Sequence, residues 1–405
     1  MININRLKNN DPTLLEFDIT YINLRKDVYL LADALRRNTH LMKLYMRRNN
    51  TGFLGMMEII KSIRYLKNLR ELKIISNELN NELFLELFKS LEDNNLLEIL
   101  DISDNMIYSK SSKYLGDFLS NNKSLIELNI SGHRLFGETL KNILGGLAYN
   151  TTLKHLDISN FVMLDNEYEE LSNYLKNNDS LESLNISNRT MELSNIEKLC
   201  DGLKDNKTLL CLNISNNYLR MPCIEKICDT LNYTSLETLN ISSNDLTLDK
   251  ITKLFETLKD NKCLTSLDIS GSAICLIGFE KMVETLKCNE HLKILNLRKT
   301  KMNIGKAELL CDVLEMNIPL ESLDISDNNM YNGEICAIME SIRYNTHLKS
   351  LNIFGNRTSD KDIEKIKEIL ETNLYLEKLY GPPHIDYLLD PIKLKAKRES
   401  NEKIS

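Results

Sequence analysis

Hydrophobic and polar residues alternate over short stretches that recur along the whole chain. In one such stretch, Leu100 and Ile102 alternate with polar neighbours. A period of two predicts a β-strand with one buried and one exposed face. A polar loop follows, and then apolar residues recur four apart, at Leu115 and Leu119. This second spacing predicts an amphipathic α-helix, so the local unit is a strand, a loop and a helix.

The unit recurs at nearly constant length, and a leucine begins each copy. Eleven of the thirteen intervals between these leucines are 28 residues long, and the other two are 27. Such a period indicates one supersecondary unit copied end to end. The anchors are Leu14, Leu41, Leu69, Leu97, Leu125, Leu153, Leu181, Leu209, Leu236, Leu264, Leu292, Leu320, Leu348 and Leu376.

The extent of the period predicts how the chain is organised. Residues 14–381 form a solenoid of about thirteen repeats, whose core grows lengthwise with each copy. Residues 1–13 are a short N-terminal cap segment. Residues 382–405 form a C-terminal cap and a charged tail.

Asparagine recurs at two positions of the unit, and each position predicts a different role. At position nine, counted from the anchor leucine, stacked amides are expected to satisfy the loop backbone, because an amide both donates and accepts. His133, Phe161 and Arg189 replace asparagine there, and we expect a structural role for His133. Three residues before an anchor, asparagine is expected to close the helix in the left-handed conformation. Pro222 predicts the first turn of one helix. The position-nine asparagines are Asn49, Asn77, Asn105, Asn217, Asn244, Asn328 and Asn356.

A repeated strand and helix connected in one direction predict a parallel sheet with all helices on one side. Neighbouring strands lie about 4.8 Å apart, whereas packed helices need about 8–10 Å. The stack is therefore expected to curve into an open α/β horseshoe. The sheet would line its concave face, and the helices its convex face.

The pattern Leu-x-x-Leu-x-Ile-x-x-Asn-x-Leu, as in residues 209–219, resembles the leucine-rich repeat family. The repeat length with a full helix resembles its ribonuclease-inhibitor-like subclass. The resemblance covers residues 14–381 and implies the horseshoe solenoid. It says less about function, because similar arrays bind protein partners in many roles, and some are Ran GTPase-activating proteins.

Composition narrows the classes of function. The 405 residues carry a net charge of −7, which argues against nucleic acid as the ligand. The polar N-terminus does not resemble a signal peptide, and no stretch is long and apolar enough for a membrane span. Nine cysteines, an odd number, favour a reduced cytoplasmic interior over a disulfide framework. Without a phosphate loop, metal-ligand spacing or nucleophile elbow, we expect no catalysis, no cofactor and no metal.

The exposed strand positions supply the candidate binding residues. Positions five and seven form uniform Asp/Asn and Ser ladders that lack the aromatic and arginine anchors of typical interfaces. Departures from the ladders are more informative. Residues 25–73 contain twelve Lys and Arg against four Asp and Glu, a local net charge of +8. The candidates are Lys43, Tyr45, Arg47, Arg48, Lys73 and Ile75 near the N-terminus, then His155, and then Arg298, Lys299 and Phe354.

The expected function is a non-catalytic scaffold that binds a protein partner on the concave face, and the basic N-terminal segment favours an acidic partner. The chain is expected to be a monomer. One alternative is GTPase activation of the Ran-activating kind, in which Arg47, Arg48 or Arg189 would stabilise the transition state. Another alternative is an effector secreted by a pathogen or symbiont into a host cytosol, an idea prompted by Asn-, Lys- and Ile-rich usage. For His155, as for His133, a structural role is the simpler interpretation.

Overall fold

A computed structural model describes residues 4–24, 27–133, 138–161 and 163–381. Within them, short parallel strands alternate with helices, and the strands follow chain order in the sheet. The predicted C-terminal cap and tail, 382–405, lie outside the described residues. The chain divides into two compact units, one with residues up to 189 plus 197–210, the other with residues 190–196 and from 211 onward.

The first unit contains seven described strands, each followed by a helix. Paired residues in neighbouring strands are 27 or 28 positions apart, as in the pairs Phe17 with Leu44 and Leu100 with Leu128. The strands are β1 Glu16–Asp18, β2 Lys43–Arg47, β3 Glu71–Ile75, β4 Ile99–Asp101, β5 Glu127–Asn129, β6 His155–Asp157 and β7 Ser183–Asn185. The helices are α1 Ile4–Lys8, α2 Val28–Arg37, α3 Gly52–Ile63, α4 Asn81–Leu91, α5 Ser109–Asn121, α6 Thr139–Leu147 and α7 Asp165–Asn177.

The second unit repeats the same arrangement. Helix α8, Leu193–Asp205, has residues in each unit. The remaining strands are β8 Cys211–Asn213, β9 Thr238–Asn240, β10 Ser266–Asp268, β11 Ile294–Asn296, β12 Ser322–Asp324, β13 Ser350–Asn352 and β14 Lys378–Tyr380. The remaining helices are α9 Met221–Leu231, α10 Leu248–Asp260, α11 Leu276–Leu286, α12 Ile304–Glu315, α13 Asn332–Ser341 and α14 Asp360–Thr372. Pro222 lies in the first turn of α9, as predicted.

The core of each repeat lies between its strand and its helix. Leu100 and Ile102 are fully buried, and so are Leu115 and Leu119 of α5. Full burial of such a side chain stabilises the fold by about 1.5–3 kcal/mol. The period of two in the strand and the four-residue spacing in the helix therefore identified the two sets of residues that pack together in this core.

The position-nine asparagines satisfy the loop backbone, as predicted. Asn105 is buried, and its Oδ1 accepts hydrogen bonds from the amides of Asn77 and Leu79, at 3.0 and 3.1 Å. Its Nδ2 donates to the carbonyls of Ile74 and Ile102, at 2.7 and 2.9 Å. One side chain thus joins two consecutive repeats at the point where the strand ends.

His133 performs the same task with an imidazole ring. Its Nδ1 accepts a hydrogen bond from the Ile107 amide at 3.2 Å, and its Nε2 lies 3.0 Å from the Ile102 carbonyl oxygen. These contacts assign the proton to Nε2, and they match the bonds of Asn105 to the preceding repeat. Burial lowers the pKa of His133 to about 4. The structural role predicted for His133 is confirmed.

The prediction for the helix-closing asparagines was wrong about their conformation. Asn122 and Asn178 follow their helices with φ of −72° and −92° and ψ of 134° and 130°, which is extended backbone. Oδ1 of Asn122 accepts from the amides of Ser124 and Leu125, at 3.0 and 2.8 Å. Asparagine is placed here because its side chain holds the turn into the next strand. Asn317, with φ 55°, does adopt the left-handed conformation.

Replacement of His133 by asparagine should change how stability depends on pH. The folded-state pKa of about 4 lies below the unfolded value of about 6.5. The unfolded chain therefore binds more protons between these values, so stability is lost as pH falls from about 6.5 to 4. The loss approaches about 3 kcal/mol in the wild type and is absent in His133→Asn. Urea unfolding at pH 7, 5.5 and 4.5 measures it, and parallel pH profiles for the two proteins would contradict the assignment.

Candidate functional site

The exposed face of the sheet, turned away from the helices and called the open face here, carries the polar ladders. In the first unit, Oδ1 of Asp101 accepts a hydrogen bond from the Ser103 amide at 3.0 Å. Its Oδ2 accepts from Nδ2 of Asn129 at 3.1 Å, and Asp157 accepts in the same way from Asn185 at 2.8 Å. Burial raises the pKa of Asp101.

The second unit repeats this network. Asn296 donates to Asp268 at 2.9 Å, and Asn352 donates to Asp324 at 2.8 Å. From β4 to β7 and from β10 to β13 carboxylates alternate with amides, which keeps like charges off neighbouring strands. The carboxylates and amides of these four pairs are therefore hydrogen-bonded within the chain, and they support the sheet.

The lysines of the predicted N-terminal cluster converge on a carboxylate. Nζ of Lys43 lies 3.2 Å from Glu71, and Nζ of Lys73 lies 2.8 Å from it. The Lys73 ammonium also lies 5.2 Å from the centre of the Tyr45 ring. The structure brings Lys43, Tyr45 and Lys73 together as predicted, but with one positive charge offset by Glu71.

Sequence reasoning missed Glu71, which is only 8% exposed. Burial alone would raise its pKa, but hydrogen bonds from Lys73 and Lys43 hold the pKa of Glu71 below its ordinary value. The alternation of open-face and core-facing positions along β3 could have located Glu71. Residue 71 shares the open face with Lys73 and pairs in register with Lys43 across β2 and β3.

Arg47 and Arg48 are the arginines of this cluster that remain uncompensated. Both are exposed, and neither forms an ion pair with a residue in the described part of the chain. Arg47 ends β2 on the open face beside the half-buried Ile75 of β3. Arg48 was expected on the same face, but it lies in the turn after β2, with its guanidinium carbon 5.8 Å from the centre of the Tyr21 ring.

The turn position of Arg48 has the same backbone conformation in all thirteen repeats. Position eight has a positive φ, between 50° and 74°, in every copy whose turn the structure describes. Ten copies have small or turn-forming residues there, since eight have Gly, Asn or Asp, which tolerate this conformation, and two have Ser. The exceptions are Tyr21, Arg48 and Lys299. For such side chains the left-handed conformation costs about 1 kcal/mol. Position eight is occupied by Tyr21, Arg48, Ser76, Asp104, Gly132, Asn160, Asn188, Asn216, Ser243, Gly271, Lys299, Asp327 and Gly355.

His155 does not join the N-terminal cluster. It is exposed at the start of β6, between Glu127 and Ser183 in the sheet register. Three inter-strand spacings separate β6 from β3, which corresponds to about 14 Å. His155 is therefore a separate position on the open face.

In the second unit, the predicted cluster consists of Arg298, Lys299 and Phe354, and only part of it is free to contact a partner. The Arg298 guanidinium donates to Asp327 through Nε and Nη2, at 2.8 and 2.6 Å, so its charge is offset. Lys299 lies in the turn after β11 with φ 55° and not on the strand. Phe354 is 54% exposed, two strands away from Arg298.

Arg189 was considered as a transition-state arginine, and its surroundings exclude that use. It is 9% exposed, and its Nη2 donates to the Ile158 carbonyl. Burial lowers the pKa of Arg189. Arg189 thus replaces the position-nine asparagine structurally, with its guanidinium inside the repeat.

The described ranges contain neither a grouping of metal-ligand side chains nor a membrane-spanning helix. Within residues 4–24, 27–133, 138–161 and 163–381, no three His, Cys, Asp or Glu side chains are grouped to hold a metal ion. In those same ranges, every helix is too short or too polar to cross a bilayer.

The family model for the Leucine Rich repeat matches residues 344–367. A leucine-rich repeat is present. Together with the parallel sheet of alternating strands and helices, the match confirms the predicted α/β leucine-rich repeat solenoid. A comparison with curated proteins found no match.

Solved structures similar to this chain include the Rad7 and Elc1 complex of yeast, at 18% identity and TM-score 0.49, covering 80% of this chain and 82% of that one. The TLR13–ssRNA13 complex has 17% identity and TM-score 0.49, with coverage of 86% and 57%. An internalin (inlF) from Listeria monocytogenes has 16% identity and TM-score 0.38, with coverage of 93% and 88%.

The alternation of carboxylates and amides predicts the effect of Asn129→Asp. Three carboxylates would then lie on neighbouring strands, and we expect a loss of about 1–2 kcal/mol in the free energy of unfolding at pH 7. Like charges raise the folded-state pKa values, so the loss should shrink as the pH falls towards 4. Asn95→Asp, on an exposed loop, is the control. Equal effects of the two substitutions in urea unfolding would contradict the role of the ladder.

The strain at position eight predicts a stabilising substitution. Lys299→Asn should raise the free energy of unfolding by about 0.5–1 kcal/mol, because asparagine tolerates the left-handed conformation. The reverse change at an equivalent exposed position, Asn160→Lys, should lower it by a similar amount. Thermal and urea unfolding measure both. A destabilised Lys299→Asn protein would mean that lysine is held there by contacts that the strain argument omits.

Proposed function

We propose that this chain is a non-catalytic scaffold that binds a protein partner through the open face and adjoining turns of its first unit. We further propose that it belongs to the ribonuclease-inhibitor-like subclass, supported by the 27- or 28-residue register and by helices of up to 13 residues. It would act as a cytoplasmic monomer.

The proposal rests mainly on the conformation and exposure of Arg48. It occupies a strained position where ten of thirteen repeats place a small or turn-forming residue, and it is exposed without an ion pair to a described residue. Strained side chains persist where function requires them. Arg48 also lies over the exposed ring of Tyr21, and arginine and tyrosine are enriched among residues that dominate binding energy.

The charge of this surface favours an acidic partner. Arg47 and Arg48 are two uncompensated charges within a segment whose net charge is +8, in a chain whose total is −7. Such a surface accelerates association with an acidic protein, and salt screens the effect. The excess of negative charge elsewhere supports a protein partner over a nucleic acid.

The second unit offers a smaller contact. Lys299 and Phe354 are exposed there, whereas the charge of Arg298 is offset by Asp327. We propose Lys299 and Phe354 as auxiliary contacts. GTPase activation and a secreted effector are not proposed, because no observation on the described residues favours either one.

Charge reversal at the two arginines tests the proposal. Purified wild type and the Arg47→Glu/Arg48→Glu protein are used for affinity capture from source-cell lysate, followed by mass spectrometry. We expect the wild type to capture specific acidic proteins in 0.1 M salt, to lose most of them in 0.5 M salt, and the variant to lose them in both conditions.

The matched control is Lys67→Glu/Lys89→Glu, which makes the same charge change at two exposed positions away from the open face of the same unit. It should retain the captured proteins. Equal capture by all three proteins, each with wild-type thermal unfolding, would refute the proposed surface.

A further inference from the structure

A groove of about 1210 Å³ adjoins the proposed binding surface on the edge where the strands of the first unit end. The loops that follow β2, β3 and β4 form it, and Arg48 lies at one end. The side chains that the argument uses are Arg48, Phe53, Glu78, Asp104, Met106 and Tyr108.

The two ends of the groove differ in charge. Arg48 provides a cation on the loop after β2, whereas Glu78 and Asp104 provide anions on the loops after β3 and β4. Glu78 and Asp104 are exposed, and neither forms an ion pair with any residue that the structure describes. Glu78 also has a positive φ of 56°, a strained conformation for glutamate. The groove therefore has a polarity that a ligand of opposite polarity would match.

Apolar side chains lie on the walls between and beside the charged ends. Phe53, Met106 and Tyr108 are 42%, 47% and 42% exposed. Aromatic residues and methionine are enriched at protein interfaces, and arginine is too. These side chains provide apolar area that a bound apolar residue would cover.

The spacing of the charges sets the length of the ligand. Neighbouring strands lie about 4.8 Å apart, so Arg48 and Asp104, which follow strands two places apart in the sheet, are separated by about 10 Å. An extended peptide rises about 3.3 Å per residue and spans this length in about three to four residues. A nucleic acid fits poorly, because its phosphates would meet Glu78 and Asp104.

We propose that the groove binds an extended segment of the protein partner, with an acidic residue at Arg48, an apolar residue against Phe53 and Met106, and a basic residue at Glu78 and Asp104. The acidic and basic residues of the segment are three to four positions apart. This inference rests on the proposed function and adds the sequence character of the segment that the partner supplies.

A random twelve-residue peptide library displayed on phage, selected on the full chain, provides the test. Enriched peptides should carry Asp or Glu, then an apolar residue, and then Lys or Arg three to four positions from the acid. Against Glu78→Lys/Asp104→Lys, the preference for a basic residue should reverse to an acidic one. A synthetic peptide of the wild-type consensus should bind Phe53→Ser/Met106→Ser at least tenfold more weakly. Tyr149→Ser, at a 73% exposed loop tyrosine, should bind it unchanged.

The outcomes separate this inference from the proposed function. Enrichment without the charge pattern, no enrichment, or a preference unchanged in Glu78→Lys/Asp104→Lys would overturn the groove as a peptide site. If these groove variants also capture cellular partners as well as wild type, while Arg47→Glu/Arg48→Glu does not, the scaffold function stands without the groove. Circular dichroism at increasing temperature confirms that each variant is folded.

Discussion

Hydrogen bonds from side-chain amides stabilise the loops in which the short strands end. Most strands contain only three residues, so much of each loop backbone has no partner within the sheet. An unsatisfied buried amide or carbonyl costs about 1–3 kcal/mol. Asn105 satisfies four such groups across consecutive repeats, Asn122 holds the turn into the next strand, and Asp101 accepts from the amide two residues on. The leucine core stabilises a repeat, whereas these polar contacts join it to its neighbours.

The sequence predicted the repeats, the buried faces and the position-nine ladder, because each depends on spacing and residue type alone. Other features depended on geometry. Asn122 was assigned the left-handed conformation that its residue type tolerates, although the chain uses its amide instead. The position that is left-handed in every described copy is position eight. Gly, Asn, Asp or Ser occupies this position in ten of thirteen copies, which indicates a turn there, but the spacing of the leucines alone does not reveal the backbone conformation.

The candidate site shows a similar limit. A local count of charges identified the basic segment, but a count does not reveal which charges are paired. Glu71 lies beside Lys43 across the sheet and two residues from Lys73, so it offsets this part of the cluster. Asp327 does the same for Arg298. After these pairs are taken into account, the fully unpaired charges among the described residues of the cluster are those of Arg47, at the end of β2, and of the turn residue Arg48.

A repeat scaffold limits where function can arise. Position nine supplies hydrogen bonds in most copies, and position five belongs to the ladder from β4 to β13, so we expect a change at these residues to destabilise the array. Position eight requires only a backbone conformation. A side chain such as arginine is accommodated there at about 1 kcal/mol, and it points away from the core. A binding hot spot contributes about 2 kcal/mol or more, which exceeds that cost. Exposed turns that depart from the preferred residue types are therefore where this fold can acquire a partner with the least loss of stability, and Tyr21 and Arg48 are adjacent examples.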